Sequence, residues 1–295
     1  MSSEIVKWFN KCEDNTTYNN FNVIFFREND SSFPDESIKF FLEEQLAISY
    51  RNISFLKRNY SEEPQQKLID YLNNYVFPTM SNQINKNVWK GDFGEILAGL
   101  IVGYFQNLEI PIKKMKLKFN SNRSVFSTDM IAHNTGDEIT DIYYYEIKTR
   151  QNIKQKETVN QSYDYITVHA HNSLFRDEQL PNEGIADFIS RFYEEQATQY
   201  GENDNNEMMN QMLEKSKKYH DIVKNPSNYN RNFELFFITE KSSYENVVLH
   251  ALNTQTTHLT PLNVTIVLIE NLNHLINTSR DNVIQSTVRL VHDVQ

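Results

Sequence analysis

The sequence predicts a layered α/β protein. Two observations lead there. Segments with alternating or continuous apolar character, the mark of strands, are interleaved with segments of helical periodicity. Turn-forming clusters separate them without any internal repeat. The 295 residues, 39% hydrophobic and 13% aromatic, suffice for one or two domains with a substantial core.

Each element has its own signature. Phe21–Phe26 reads as a strand, and Asp35–Leu46 as a helix with Asp35 and Ser37 as candidate caps. Gln65–Tyr75 reads as a helix that Pro78 stops. Gly91–Phe105 is an apolar helix, with four of the seven glycines between Gly91 and Gly103. Lys114–Phe119 alternates basic and apolar residues, which predicts a strand. Val125–His133 and Ile139–Lys148 are expected to form a hairpin around Thr135-Gly136-Asp137. Val159–Leu174, Ile185–Gln199 and Met208–Val223 read as helices, and Asn225–Asn232 as a loop. Phe233–Thr239 and Val264–Ile269 read as buried strands, followed by helical pattern at Asn271–Asn277. The organisation expected is an N-terminal α/β elaboration over 1–85 and a main domain over 86–295.

Composition excludes several classes. The single cysteine, Cys12, leaves no internal disulfide framework and no multi-cysteine metal site, and suits a reducing cytoplasm. The apolar runs are too short to span a bilayer, and the first residues lack a secretory pattern. There is neither a phosphate-binding glycine loop nor a nucleophile elbow. His169 and His171 would share a face on a strand but diverge on the helix expected there, and no third ligand accompanies them.

Net charge is −10, yet positive charge is concentrated. No acid occurs between Ile110 and Thr128, a window holding Lys113, Lys114, Lys116, Lys118 and Arg123. A second acid-free window, Lys148–Lys156, holds Lys148, Arg150, Lys154 and Lys156. Asp129 and Glu146 lie between them. Carboxylates framed by basic residues suit a divalent cation gripping a phosphate, since Mg²⁺ takes oxygen ligands and a phosphodiester takes Lys and Arg.

The chemistry narrows to Glu146-Ile147-Lys148, the one acid-x-Lys triplet in the chain. On a strand, Glu146 and Lys148 share a face with Tyr144. A hairpin brings Asp129 beside Glu146. Asp129, Glu146 and the Ile147 carbonyl are then a set for Mg²⁺ or Mn²⁺, with Lys148 orienting a water or stabilising transition-state charge. Glu95, on the glycine-rich helix, would complete the metal shell. Lys116, Lys118, Arg123 and Arg150 are expected to contact DNA phosphates.

The order of Glu95 on a helix, Asp129 on a strand and Glu146-x-Lys148 on a strand resembles the PD-(D/E)xK nuclease superfamily. The finer pattern resembles the HamA family: Gly94-Glu95-Ile96-Leu97-Ala98, a Lys- and Arg123-containing segment, Asp129-Met130-Ile131, and Glu146-Ile147-Lys148. Two positions depart from that family's common pattern. Asp92 stands where Arg is frequent, and Ser127 where Gly is frequent. The resemblance implies a restriction-endonuclease-like core, a central mixed sheet flanked by helices. It also implies a metal-dependent DNA nuclease, the effector of the Hachiman anti-phage defence system, partnered with a HamB-like helicase subunit. A catalytically silent DNA- or partner-binding subunit, and an RNA-cleaving toxin of the same fold, are the alternative readings.

Overall fold

The computed structural model describes residues 4–13, 16–29, 36–118, 120–122, 129–136, 138–178, 184–202, 206–255 and 258–292. A short helix α1 (Glu4–Trp8) leads into strands β1 (Phe9–Glu13) and β2 (Asn22–Glu28). Helices α2 (Glu36–Tyr50), α3 (Ile53–Tyr60) and α4 (Gln65–Tyr71) follow, and α4 runs on as a wider π turn over Leu72–Val76. The long α5 (Gln83–Phe105) precedes the short β3 (Leu108–Glu109), and then come β4 (Met130–Asn134) and β5 (Asp141–Arg150). A small hairpin of β6 (Glu157–Val159) and β7 (Ser162–Asp164) precedes α6 (Ile166–Glu178), α7 (Ile185–Glu202) and α8 (Asn206–Lys224). The chain closes with β8 (Asn230–Glu240), α9 (Val247–Thr254), β9 (Leu262–Ile269) and α10 (Leu272–His292).

Seven strands form one mixed sheet in the order β1-β2-β9-β8-β5-β4-β3. The central strands β2, β9, β8 and β5 run parallel, while β1 and the β4–β3 edge run antiparallel to their neighbours. Parallel strands buried on both faces need apolar residues at odd and even positions alike, and β8 supplies them. Phe236 and Ile238 pack toward the layer that contains α2, α5 and α10. Leu235 and Phe237 pack toward α6 and α9. A third cluster joins α7 and α8 to β4 and β5 through Ile131, Ile142, Ile189, Tyr193, Tyr219 and Ile222. The first strands are thus continuous with the central sheet, since β2 pairs with β9 from Asn22↔Asn263 to Arg27↔Leu268.

The β4–β5 hairpin forms around Gly136, whose φ of +130° favours a residue without Cβ. Asn134 Oδ1 accepts the Thr140 and Asp141 N–H groups and closes the turn. The other half of the expected first arm, 125–128, lies outside the described residues.

Three expectations fail. Lys114–Leu117 is a 3₁₀ turn, so the Lys114–Phe119 segment is no strand. Its alternation reflects Lys114 turning inward to buried carboxylates while Lys116 stays exposed. The Val159–Leu174 segment does not start as a helix. Asn160 and Gln161 take positive φ of 48° and 68° and form a two-residue hairpin turn, so the helix begins only at Ile166. The expected loop at Asn225–Asn232 gives way to β8 from Asn230, because Asn230 to Asn232 pair with Asp141 to Tyr143.

Candidate active site

The site lies where β4 and β5 pass between α5 and α6. Met130 pairs with Tyr145, so one residue further along the antiparallel register Asp129 falls opposite Glu146. Asp129 Oδ2 accepts the Ile147 N–H at 2.7 Å, which pins the carboxylate to the edge of β5. Glu146 and Lys148 share a β5 face, as alternation requires, and Lys148 Nζ lies 2.6 Å from Glu146 Oε1. The same Nζ is 3.6 Å from Asp129 Oδ2.

Glu95 arrives from α5. From Trp89 onward that helix is apolar on most sides and largely buried. Asn82 caps it by accepting the Asn85 N–H, and Trp89 Nε1 donates to the Ile276 carbonyl. Gly94 lets α5 approach β5. A Cβ there would lie 1.8 Å from Thr149 Oγ1. This close approach delivers Glu95 to the site. Its Oε2 is 2.9 Å from Lys114 Nζ, which in turn is 3.8 Å from Asp129 Oδ1.

The result is a chain of alternating charges, Glu95–Lys114–Asp129–Lys148–Glu146, that holds three carboxylates with two ammonium groups. Glu146 is 2% exposed, and among the described residues its Oε2 is buried with no hydrogen-bond partner within 3.5 Å, although the Ser173 side chain lies near enough to favour the ionised form. Burial, then the Asp129 charge, pushes the Glu146 carboxyl well above its ordinary pKa, with Lys148 pulling it back. Burial likewise raises Glu95, opposed by Lys114 and helped by Asp129 and Asp92. For Lys148, burial favours the neutral amine, but Asp129 and Glu146 together outweigh it and hold the ammonium form. Among the described residues, no three His, Cys, Asp or Glu side chains group closely enough to hold a metal ion. Lys114 stands between Glu95 and Asp129, so Asp129 and Glu146 are the carboxylates that one cation could share.

The sequence-predicted site residues sort clearly. Among the described residues, Asp129, Glu146 and Lys148 meet, whereas Glu95 is linked to Asp129 only through Lys114 and does not join a three-carboxylate set. Lys116 is exposed. Arg150 has a 41% exposed side chain, 3.6 Å from Glu157. Lys118 is not offered to solvent. Its side chain is 4% exposed and paired with Asp92, which also accepts from Tyr50. Arg123 lies outside the described residues. His169 and His171 diverge on α6, the first bonded to the Glu157 carbonyl and the second accepting the His258 N–H.

Three residues escaped the sequence reading. Lys114 lay in the basic window, but nothing in the spacing distinguished it from Lys113 or Lys116. Asp177, near the end of α6, has an 8% exposed side chain and feels the Asp129 and Lys148 charges. Tyr50 is buried against Asp92, and no acid–aromatic spacing in sequence announces a contact between residues 42 positions apart.

The family model for HamA matches residues 4–283, nearly the whole chain. The chain belongs to the HamA family. Membership places it in Hachiman anti-phage defence. No curated protein matches the chain. Of the two positions at which the resemblance led one to expect other residues, one has a structural role here. Asp92, one helical turn before Glu95, is the buried acceptor for Lys118 and Tyr50, and Ser127 lies outside the described residues. Among the described residues, no helix of this HamA-family chain is long and apolar enough to cross a membrane.

Proposed function

We propose that this chain hydrolyses DNA phosphodiester bonds with Mg²⁺ or Mn²⁺, as the nuclease effector of a defence complex with a HamB-like helicase subunit. The observation that carries this reading is the meeting of Asp129, Glu146 and Lys148 across the β4–β5 register. The donor set suits a hard divalent cation, which takes carboxylate oxygens and leaves water in its remaining positions. The buried Glu146 Oε2 has a lone pair to offer and, among the described residues, no hydrogen-bond partner within 3.5 Å.

Asp129 and Glu146 would hold the cation, together with the Ile147 carbonyl. When bound, the cation polarises a phosphate oxygen and acidifies a water. The protein's own part is positioning and charge. The Ile147 N–H fixes Asp129. Asp129 and Glu146 keep Lys148 protonated and aimed along β5. Its ammonium then faces the negative charge that develops on the phosphoryl oxygens, without reorganisation at the moment of reaction. Lys116 and Arg150 give local phosphate contacts on a chain whose net charge is −10.

The test is degradation of plasmid and linear DNA with Mg²⁺ or Mn²⁺. Glu146→Ala and Lys148→Ala are expected to cut the rate roughly hundredfold or more, the scale seen when one preorganised electrostatic group is lost. Undiminished cleavage by either variant would end the assignment.

A further inference from the structure

Lys114 is a buried charge of the site that the reaction above does not use. Its side chain is 8% exposed, and burial of an ammonium is unfavourable without a compensating charge. It reaches in from the 3₁₀ turn Lys114–Leu117 and lies within 4 Å of Glu95 and Asp129 together. It therefore neutralises one of the two carboxylates that would hold the catalytic cation. Two cavities adjoin it. One of about 110 Å³, toward α2 and α5, is lined by Ser49, Glu95, Gly99, Lys114, Asp129 and Met130 among others. A smaller one of about 20 Å³, toward α7, is lined by Lys114, Asp129, Phe188 and Ile189 among others. The larger cavity is mostly apolar, bounded also by Ile96, Leu100, Ile110 and Ile112, so it can take the methylene stem of a displaced Lys114 but not an unpaired ammonium.

We propose that Lys114 is an internal stand-in cation, holding Asp129 and Glu95 in a resting arrangement that a divalent metal ion must displace. The proposal rests on the nuclease reading and adds its regulation. A unit positive charge 3.8 Å from Asp129 repels an incoming dication at the same carboxylate. Movement of the Lys114 ammonium off Asp129 would release that carboxylate to the metal. The device would keep metal occupancy low until DNA or a partner moves the Lys114–Leu117 turn. The phosphate of bound DNA is a suitable alternative acceptor for the freed ammonium.

The experiment is Mn²⁺ binding to the full chain without DNA, measured by calorimetry and by the paramagnetic resonance signal of free Mn²⁺. Lys114→Met is expected to bind Mn²⁺ on the order of tenfold tighter than the unmodified chain. Glu95→Gln with Lys114→Met removes both partners of the buried pair. It guards against misfolding from a lone buried carboxylate, and it too is expected to bind more tightly. Thermal unfolding with and without Mn²⁺ gives a second readout: the metal-induced rise should be larger in both variants. Equal or weaker Mn²⁺ binding by both variants, while the unmodified chain binds and Asp129→Asn does not, would overturn the role of Lys114 and leave the nuclease reading standing. No Mn²⁺ binding by any of these proteins would overturn both.

Discussion

Replacing Gly94 with alanine would put a methyl group where β5 already stands. The new Cβ would lie 1.8 Å from Thr149 Oγ1 and 3.1 Å from Thr149 Cβ. Rotation of the threonine side chain can relieve the first contact, but the second involves an atom fixed to the strand backbone. Overpacking of this kind costs about 1–3 kcal/mol. Against it stands a helix-propensity gain of about 1 kcal/mol for alanine over glycine. A contact as close as 1.8 Å puts the overpacking at about 2–3 kcal/mol, so the net expectation is a loss of roughly 1–2 kcal/mol, a fall in Tm of about 2–3 °C for a chain of this size. Paired with Thr149→Ala, which removes the oxygen and keeps Cβ, the loss should shrink without vanishing. Thermal unfolding of the two single variants and the double variant gives the coupling. A Gly94→Ala protein as stable as the original, or more so, would mean that only helix propensity operates. The close α5–β5 approach that delivers Glu95 would then be wrong.

Three further outcomes follow from individual groups. Glu234 is buried on β8, with Asn263 Nδ2 donating to it, and burial raises its pKa from 4.5 to about 7. A raised native pKa means that the folded chain binds the proton more tightly than the unfolded one. Stability is therefore fully present below about pH 4.5 and is lost as pH rises to about 7, by roughly 3 kcal/mol in all. Glu234→Gln should flatten that part of the stability–pH curve in denaturant titrations, and an unchanged curve would refute the assignment. Lys118→Ala should cost about 3–5 kcal/mol in denaturant unfolding, because Asp92 is left buried without its counter-ion. Exposed Lys116→Ala should stay within about 0.5 kcal/mol. On catalytically inert Glu146→Ala protein, Lys116→Ala and Arg150→Ala should each lower the salt dependence of DNA binding by about one in log–log slope. Unchanged slopes would remove both from the interface.

The sequence made the centre of the fold legible, because period-two patterns and turn residues act locally. β5, β8 and β9 follow from their apolar runs, and Gly136 marks the turn that brings Asp129 to Glu146. The segments misread are those in which a distant partner decides. Lys114, Lys116 and Lys118 share one spacing but meet different fates. Lys114 is drawn to Glu95, Lys116 stays in water and Lys118 is drawn to Asp92. Spacing carries no record of those carboxylates on α5. The β6–β7 hairpin was hidden for a different reason: its turn uses Asn160-Gln161 with both φ positive and no glycine to announce it. β1 was missed because Phe9–Glu13 is short and mostly polar and gains its strand character from pairing with β2.

The central claim is that one cation joins the two strands of the β4–β5 hairpin. A crystal grown or soaked with Mn²⁺ and measured for anomalous scattering tests it directly. A single peak at coordination distance, about 2.0–2.3 Å, from oxygens of both Asp129 and Glu146 is the expected result. A peak that touches only one of them, or none at saturating Mn²⁺, would contradict it.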